Sequence, residues 1–291
     1  SHYYATQQPF GKDGDFITAP EISQMFGEVI GAWIVYTWQQ KKEPKFNLVE
    51  IGGGRGTLMH DILRSTQVFK SFHQALDKVY MVETSPTLAK LQQAKLQDFQ
   101  PIIIADVEQL SGTNNIVLCN EFFDALPIKQ FHSKTNQERK IINDHGLKFN
   151  FAEDDIIETS PATLAYASKI ADKIKSGFGL IIDYGYVQSP QKSTLQAVKN
   201  HQFHDPLKDV GQADITALVD FSALSEVFTS RGFTTQITTQ REFLIANGIL
   251  ERADRLLKSL VPPQRIEQDL DRLIGKSQMG ELFKVLEINI W

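Results

Sequence analysis

Short apolar runs recur along the chain, most of them followed by a stretch with helical spacing. FNLVEI at 46–51, KVYMVE at 78–83, PIIIAD at 101–106 and NIVLCN at 115–120 come in close succession, and FGLIIDYG at 178–185 follows a helical stretch at 161–176. Runs apolar on both faces and separated by helices predict an α/β fold, a mostly parallel sheet covered by helices on both sides. Ahead of it, residues 21–39 place Ile22, Met25, Phe26, Val29, Ile30 and Trp33 on one face of a helix, with Pro20 suited to its first turn. Two stretches interrupt the alternation. Residues 128–151 alternate apolar and polar around turns, which predicts inserted antiparallel strands beside the sheet. Residues 186–220 are polar and His-rich and carry prolines, which predicts a long ordered loop or lid. Residues 249–274 are helical in pattern, broken at Val261-Pro262-Pro263, and ELFKVLEINIW closes the chain as a strand. The expected division is an N-terminal helical segment (1–45), a ligand-binding core (46–127), an antiparallel insertion (128–151), core continued (152–185), a lid (186–220), and C-terminal helices with closing strands (221–291).

Composition narrows the function classes. The 291 residues, 42% hydrophobic, suffice for one large domain or two small ones with a sizeable core. A net charge of -5 disfavours nucleic acid as the main partner. Cys119 is the single cysteine, so a disulfide framework and a zinc finger are excluded, a reducing compartment is expected, and Cys119 itself suits a buried position. No apolar run reaches the length of a membrane span, so no membrane insertion is expected. The chain opens on Ser1 rather than Met, which suggests a trimmed or processed start and leaves a lost targeting peptide open.

The first strand run leads into GGGRGT. Gly52, Gly54 and Gly56 form G-x-G-x-G, with Glu50 two residues ahead and Gly53 inside. Glycine lets a chain turn sharply and lets a ligand touch backbone. A dinucleotide fingerprint, G-x-G-x-x-G, would need glycine at 57, where Thr57 stands. The tighter spacing suits S-adenosylmethionine (SAM), which has no phosphate to neutralise. The plainer account is a strained strand-to-helix turn. Further strand ends support the ligand: Glu83 is placed to accept hydrogen bonds from ribose hydroxyls, and Asp106 to reach an adenine amino group, although Asp at a loop start also serves turns. At the fourth strand end, NEFFDALPIKQF crowds Asn120, Glu121 and Asp124 into one corner. Carboxylates there suit holding a cationic or N–H-bearing nucleophile and removing one proton, with helix or turn capping as the plain alternative for Asn120 and Asp124.

GDFITAPEISQMFGEVIGAW, LVEIGGGRGTLMHDILR, NEFFDALPIKQF, LIIDYGY and TLQAVKNHQFHDPLKDVGQADITALVDF together resemble the MidA family of class I SAM-dependent methyltransferases, in the family's order and over nearly the whole chain. The resemblance implies a Rossmann-like, seven-stranded methyltransferase sheet with a SAM site. Mitochondrial members resemble arginine methyltransferases acting on a respiratory complex I subunit during assembly. The implied partner is therefore a protein, a respiratory complex subunit, and the implied location is the mitochondrial matrix in a eukaryote or the cytoplasm in a bacterium. By position, Gly52, Gly54, Gly56 and Glu83 match the cofactor motif. Asn120 and Glu121 match the segment near the transferred methyl, and Thr18, Ala19, Pro20 and Glu21 match an opening motif near the methionine end. Many members carry proline where this chain has Gly53, the more permissive residue.

Other signals are weaker. His201-x-x-His204-Asp205 has metal-ligand spacing but no further ligand, so no metal is expected. Asp214 and Thr216 suit capping of the next helix, and Asp183 and Tyr184 suit lining the cleft, with Gly185 releasing the chain from the sheet. Trp33, Tyr36 and Trp38 suit packing or an interface, which leaves a homodimer open. Against the methyltransferase stand an assembly factor using the fold without essential catalysis, a small-molecule methyltransferase, and a nicotinamide oxidoreductase that the loop spacing disfavours.

Overall fold

The computed structural model describes residues 18–290 except 43, 113, 200, 201, 210 and 259–261. The first 17 residues of the expected N-terminal segment, His201 and Val261 lie outside the described residues. Among the described residues, seven strands line up in the central sheet: β1 (Phe46–Ile51), β2 (Leu76–Val82), β3 (Ile102–Ile104), β4 (Asn115–Asn120), β5 (Phe178–Tyr186), β6 (Thr234–Thr239) and β7 (Phe283–Asn289). Their order is β6-β7-β5-β4-β1-β2-β3, with a short strand, Val219–Asp220, pairing to the end of β5. β1 to β5 are mutually parallel, and β7 runs antiparallel between β5 and β6. Five of the six central strand positions in β1 alternate between two cores: Phe46 and Leu48 pack on one side, Val49 and Ile51 on the other, and Glu50 shares the first side.

The helices are α1 (Ala19–Ile22), α2 (Gln24–Gln40), α3 (Thr57–Thr66), α4 (Lys70–Ala75), α5 (Pro86–Lys95), α6 (Pro161–Lys173), α7 (Phe221–Thr229), α8 (Gln240–Ala246), α9 (Ile249–Leu257), α10 (Pro263–Ile274) and α11 (Met279–Leu282). One core joins α2 and α3 with residues of α8 to α10, and the other holds α6 and α7. Trp33 and Trp38 are buried in the first, whereas Tyr36 is on the surface.

Several expectations need correction. The N-terminal helix is two helices, because Ser23 is extended and its hydroxyl accepts from the Met25 N–H. The insertion runs past 151: Ile156–Thr159 pairs with Lys129–His132, which also pairs with Glu138–Arg139, and a separate hairpin joins Ile141–Asn143 to Leu147–Phe149. The lid contains a three-stranded sheet of Gln196–Lys199, Gln202–His204 and Asp214–Thr216. Asp220, not Asp214 or Thr216, caps α7, accepting from the Ala223 N–H at 3.0 Å. β7 begins at Phe283, after Glu281 and Leu282 end α11, and it is interior to the sheet because TTQITT supplies the edge strand β6. Gly185 does not release the chain. A Cβ there would lie 2.5 Å from the Phe221 ring and from the Val219 carbonyl, so glycine admits the short strand beside β5.

Candidate functional site

β1 ends at Ile51 and α3 begins at Thr57, so residues 52–56 must reverse direction at the carboxyl edge of the sheet. Gly52, Gly54 and Gly56 all adopt left-handed backbone, with φ of 67°, 50° and 78°. A Cβ on Gly52 would lie 2.8 Å from the Phe122 ring. On Gly53 it would lie 2.5 Å from Met81 Cε and 2.7 Å from Glu50 Cδ. Gly53 is therefore more than permissive in this chain: its missing side chain leaves room for the Glu50 carboxyl beneath the loop.

Glu50 is 2% exposed. Burial above all, with the Glu83 carboxylate adding, pushes its pKa up to about 8, against the pull of the Met59 N–H and Lys95. Its Oε2 has no hydrogen-bond partner among the described residues. Glu83 follows β2. Its Oε1 accepts the Ser85 N–H at 2.7 Å and its Oε2 accepts Gln92 Nε2 at 3.3 Å, while burial raises its pKa against those bonds. The same Gln92 amide nitrogen donates to the Gly54 carbonyl at 2.8 Å, so a fully buried residue of α5 ties the glycine loop to Glu83. Gln92 escaped the sequence reading because nothing local marks a glutamine on a helix as buried.

Two cavities meet at this edge. The larger, about 320 Å³, reaches from Gly52 and Gly54 past Glu83 to Asp106, with Phe122, Leu126 and Tyr166 as apolar walls. The smaller, about 30 Å³, lies between the glycine loop, Thr18, Pro20, Glu50, Arg55 and Asn120. Glu121 borders both. Arg55 was in plain view inside the glycine motif but was not singled out, since its use depends on facing the small cavity. Asp106 lines the far end, yet its carboxylate is engaged as a cap: Oδ1 accepts the Glu108 N–H at 2.9 Å and Oδ2 meets Lys169 at 3.1 Å. The Glu108 N–H, and Lys169 after it, hold its pKa below the usual range.

The opening motif is brought to the fourth strand end. Ala19 N–H donates to Glu121 Oε1 at 3.1 Å, as does Asn120 Nδ2 at 3.1 Å. Glu21 Oε1 accepts Thr57 Oγ1 at 2.5 Å, which fastens α1 to the start of α3. Glu121 is left-handed, φ 51°, and burial pushes its pKa up to about 7 against those two donors. The Asn120 amide is thus bonded to Glu121 rather than to a cap, and its Oδ1 has no partner among the described residues. Asp124 is buried behind the cavities, 7% exposed, rather than in their lining. Burial, then the carboxylates of Asp183, Glu121 and Asp214, push it up. Asp183 does not line the cleft either; it is fully buried and bonded to the loop after β4. His204 meets Asp209 at 3.3 Å, and among the described residues no group of three metal-ligating side chains gathers.

The unsatisfied acceptors test the expected ligand. Glu50 Oε2 and Asn120 Oδ1, in residues that line the smaller cavity, are buried and have no partner among the described residues, and buried acceptors call for donors. A sulfonium nucleoside carrying an amino acid brings an ammonium, two ribose hydroxyls and an adenine amino group, plus a carboxylate suited to Arg55. The residues present fit it.

The sequence pattern of a family described as S-adenosyl-L-methionine-dependent methyltransferase matches residues 29–152 and 132–239. The mitochondrial protein arginine methyltransferase NDUFAF7 of Xenopus laevis is 31% identical over 98% of this chain and 77% of its own length. That of Danio rerio is 33% identical, covering 98% of this chain and 79% of its own. A Burkholderia thailandensis protein crystallised with S-adenosyl-homocysteine (SAH) superposes with a TM-score of 0.84 at 26% identity, covering 99% of this chain and 83% of the other. Left-handed glycines over a buried acid, an acid after β2 and agreement along nearly the whole chain have one explanation: the protein belongs to the family of S-adenosyl-L-methionine-dependent methyltransferases that includes NDUFAF7.

Proposed function

We propose that this methyltransferase acts on an arginine side chain of a protein, and that Glu121 holds the guanidinium and takes its proton. The observation that carries the reading is Glu121 itself: a left-handed carboxylate where the two cavities meet, with a pKa near about 7. The bound cofactor supplies an electrophilic methyl group. Everything else falls to the chain. Backbone at 52–54 admits the ligand, Glu83 takes the ribose hydroxyls, and Asp106 bounds the adenine end. Thr18, Pro20, Glu50 and Arg55 enclose the amino-acid end. Glu121 as a carboxylate makes charge-assisted hydrogen bonds to the guanidinium and accepts the one proton that methylation of nitrogen releases. Asn120 orients Glu121, and Asp124 lies buried behind it. The relatives named protein arginine methyltransferase support this acceptor, and their mitochondrial names support that location in a eukaryote; the proposed partner is a respiratory complex subunit, met in the mitochondrial matrix or, in a bacterium, in the cytoplasm. No helix among the described residues is long and apolar enough to cross a membrane.

The test is incubation with methyl-labelled SAM and host lysate, followed by mass spectrometry of labelled proteins. Label on arginine of a respiratory subunit, lost in Glu121→Gln while SAH binding persists, is the expected result. Label confined to lysine or small molecules, or full transfer by Glu121→Gln, overturns it.

A further inference from the structure

We infer that Asp183 is the positioning residue that sets Glu121 for methyl transfer, by gathering the backbone of the loop after β4. Asp183 Oδ2 accepts three consecutive N–H groups: Phe122 at 3.2 Å, Phe123 at 2.8 Å and Asp124 at 3.2 Å. Its Oδ1 accepts the Tyr184 N–H at 2.9 Å. The preceding residue of β5 completes the grip, since the Glu121 N–H donates to the Ile182 carbonyl at 2.9 Å. Two successive residues of one strand thus hold four successive residues of the loop.

Converging N–H groups make a concavity for an anion, here filled from within the chain. The geometry matters to Glu121 because left-handed backbone costs a non-glycine residue about 1–2 kcal/mol and persists only where its surroundings impose it. Released from Asp183, the loop would relax and Glu121 would leave the Ala19 N–H and the junction of the cavities. Asp183 is ringed by donors, whereas the backbone donor at the Asp124 carboxyl is the Ala125 N–H. Burial pushes both acids up, Asp183 to about 8 and Asp124 well above the usual range, so Asp183, with the more donors, is the one of the two that ionises first. A carboxylate bonds such donors more strongly than a neutral amide.

The inference rests on Glu121 acting at the methyl site. Its test is Asp183→Asn, followed by amide hydrogen exchange, SAH calorimetry and methyl transfer from labelled SAM into lysate protein. Exchange at Phe122, Phe123 and Asp124 is expected to quicken about tenfold or more, as loss of charged hydrogen bonds implies, with Ile116, Val117 and Leu118 in β4 unchanged. The transfer rate at saturating SAM falls about 10–100-fold, while SAH affinity falls by about threefold at most, because Glu83, Gln92 and the glycine loop are untouched. Unchanged exchange at the three amides, or transfer lost only in proportion to SAH binding, overturns the assignment. Where Asp183→Asn does not fold, NMR on the unmodified protein decides. Acidification that protonates Asp183 moves the three amide protons upfield together, and amides that titrate independently overturn it. Full transfer by Glu121→Gln would sink the reading of Glu121, whereas unmoved loop amides in Asp183→Asn would sink this one.

Discussion

Glu50→Gln should make the protein more stable and a poorer binder of its cofactor. Burial raises the Glu50 pKa from 4.5 to about 8. The folded chain therefore holds a proton that the unfolded chain releases between those values. For an acid with a raised folded pKa, the contribution to stability is fully present below the unfolded pKa and is lost as pH rises toward the folded one. At pH 7 the loss amounts to ~3 kcal/mol, the free energy of about 2.5 pH units of differential protonation. Glutamine is the isostere of the neutral form and does not titrate. It should restore much of that amount, raising Tm by roughly 5 °C in a chain of this size. The gain should shrink toward zero as the pH is lowered to about 4.5. SAH binding should move the other way, because a cofactor ammonium gains most from a carboxylate at the unpaired Oε2; loss of that charged bond predicts about 10–100-fold weaker binding. Thermal unfolding between about pH 5 and 8 and calorimetry with SAH, the non-reactive product, read the two effects separately. A lower Tm for the variant across this range, or SAH affinity equal to wild type, would refute the reasoning.

Gly52→Ala places a Cβ 2.8 Å from the Phe122 ring at a φ of 67°, so SAH affinity measured by calorimetry should fall about tenfold or more from backbone strain alone; an unchanged Kd would mean that the loop does not meet the ligand. With Glu121 near about 7 and needed as a carboxylate, the single-turnover transfer rate should climb as pH rises to about 7 and then level; a rate flat across that region counts against Glu121 as base. Gln92→Leu removes the donor shared by Gly54 and Glu83 and should weaken SAH binding about tenfold, with the chain still folded by circular dichroism. Glu28→Leu leaves Arg64 and Arg252, held at 2.8 and 2.5 Å, without their common carboxylate, and the denaturant midpoint should drop by the equivalent of about 1–3 kcal/mol, reduced from a buried pair because both guanidinium groups are partly exposed.

Much of the sheet was legible because parallel strands buried on both faces announce themselves as apolar runs. FNLVEI, KVYMVE, PIIIAD and NIVLCN all became β-structure, and FGLIIDYG became β5. TTQITT was missed because β6 is an edge strand of four threonines, one glutamine and one isoleucine, and an edge strand does not require an apolar run. The insertion boundary slipped because Ile156–Thr159 joins a partner more than twenty residues away, a pairing that no local pattern carries. The glycine loop was visible for the opposite reason: left-handed backbone leaves glycine as the residue of least strain, so conformation is written into composition.

By itself, the sequence determined the α/β class, the strand-to-helix glycine turn, the acid after the second strand and the acidic corner after the fourth, because each follows from contacts between near neighbours. Tertiary structure alone decided what those groups do. It turned Asp183 and Asp124 away from the cavities, put Asp106 to work as a cap, set Gln92 between Gly54 and Glu83, and brought Ala19 to a carboxylate 102 residues distant. A hydrogen bond or a shifted pKa depends on distance and burial in space, and the chain's local pattern specifies neither until the fold is closed.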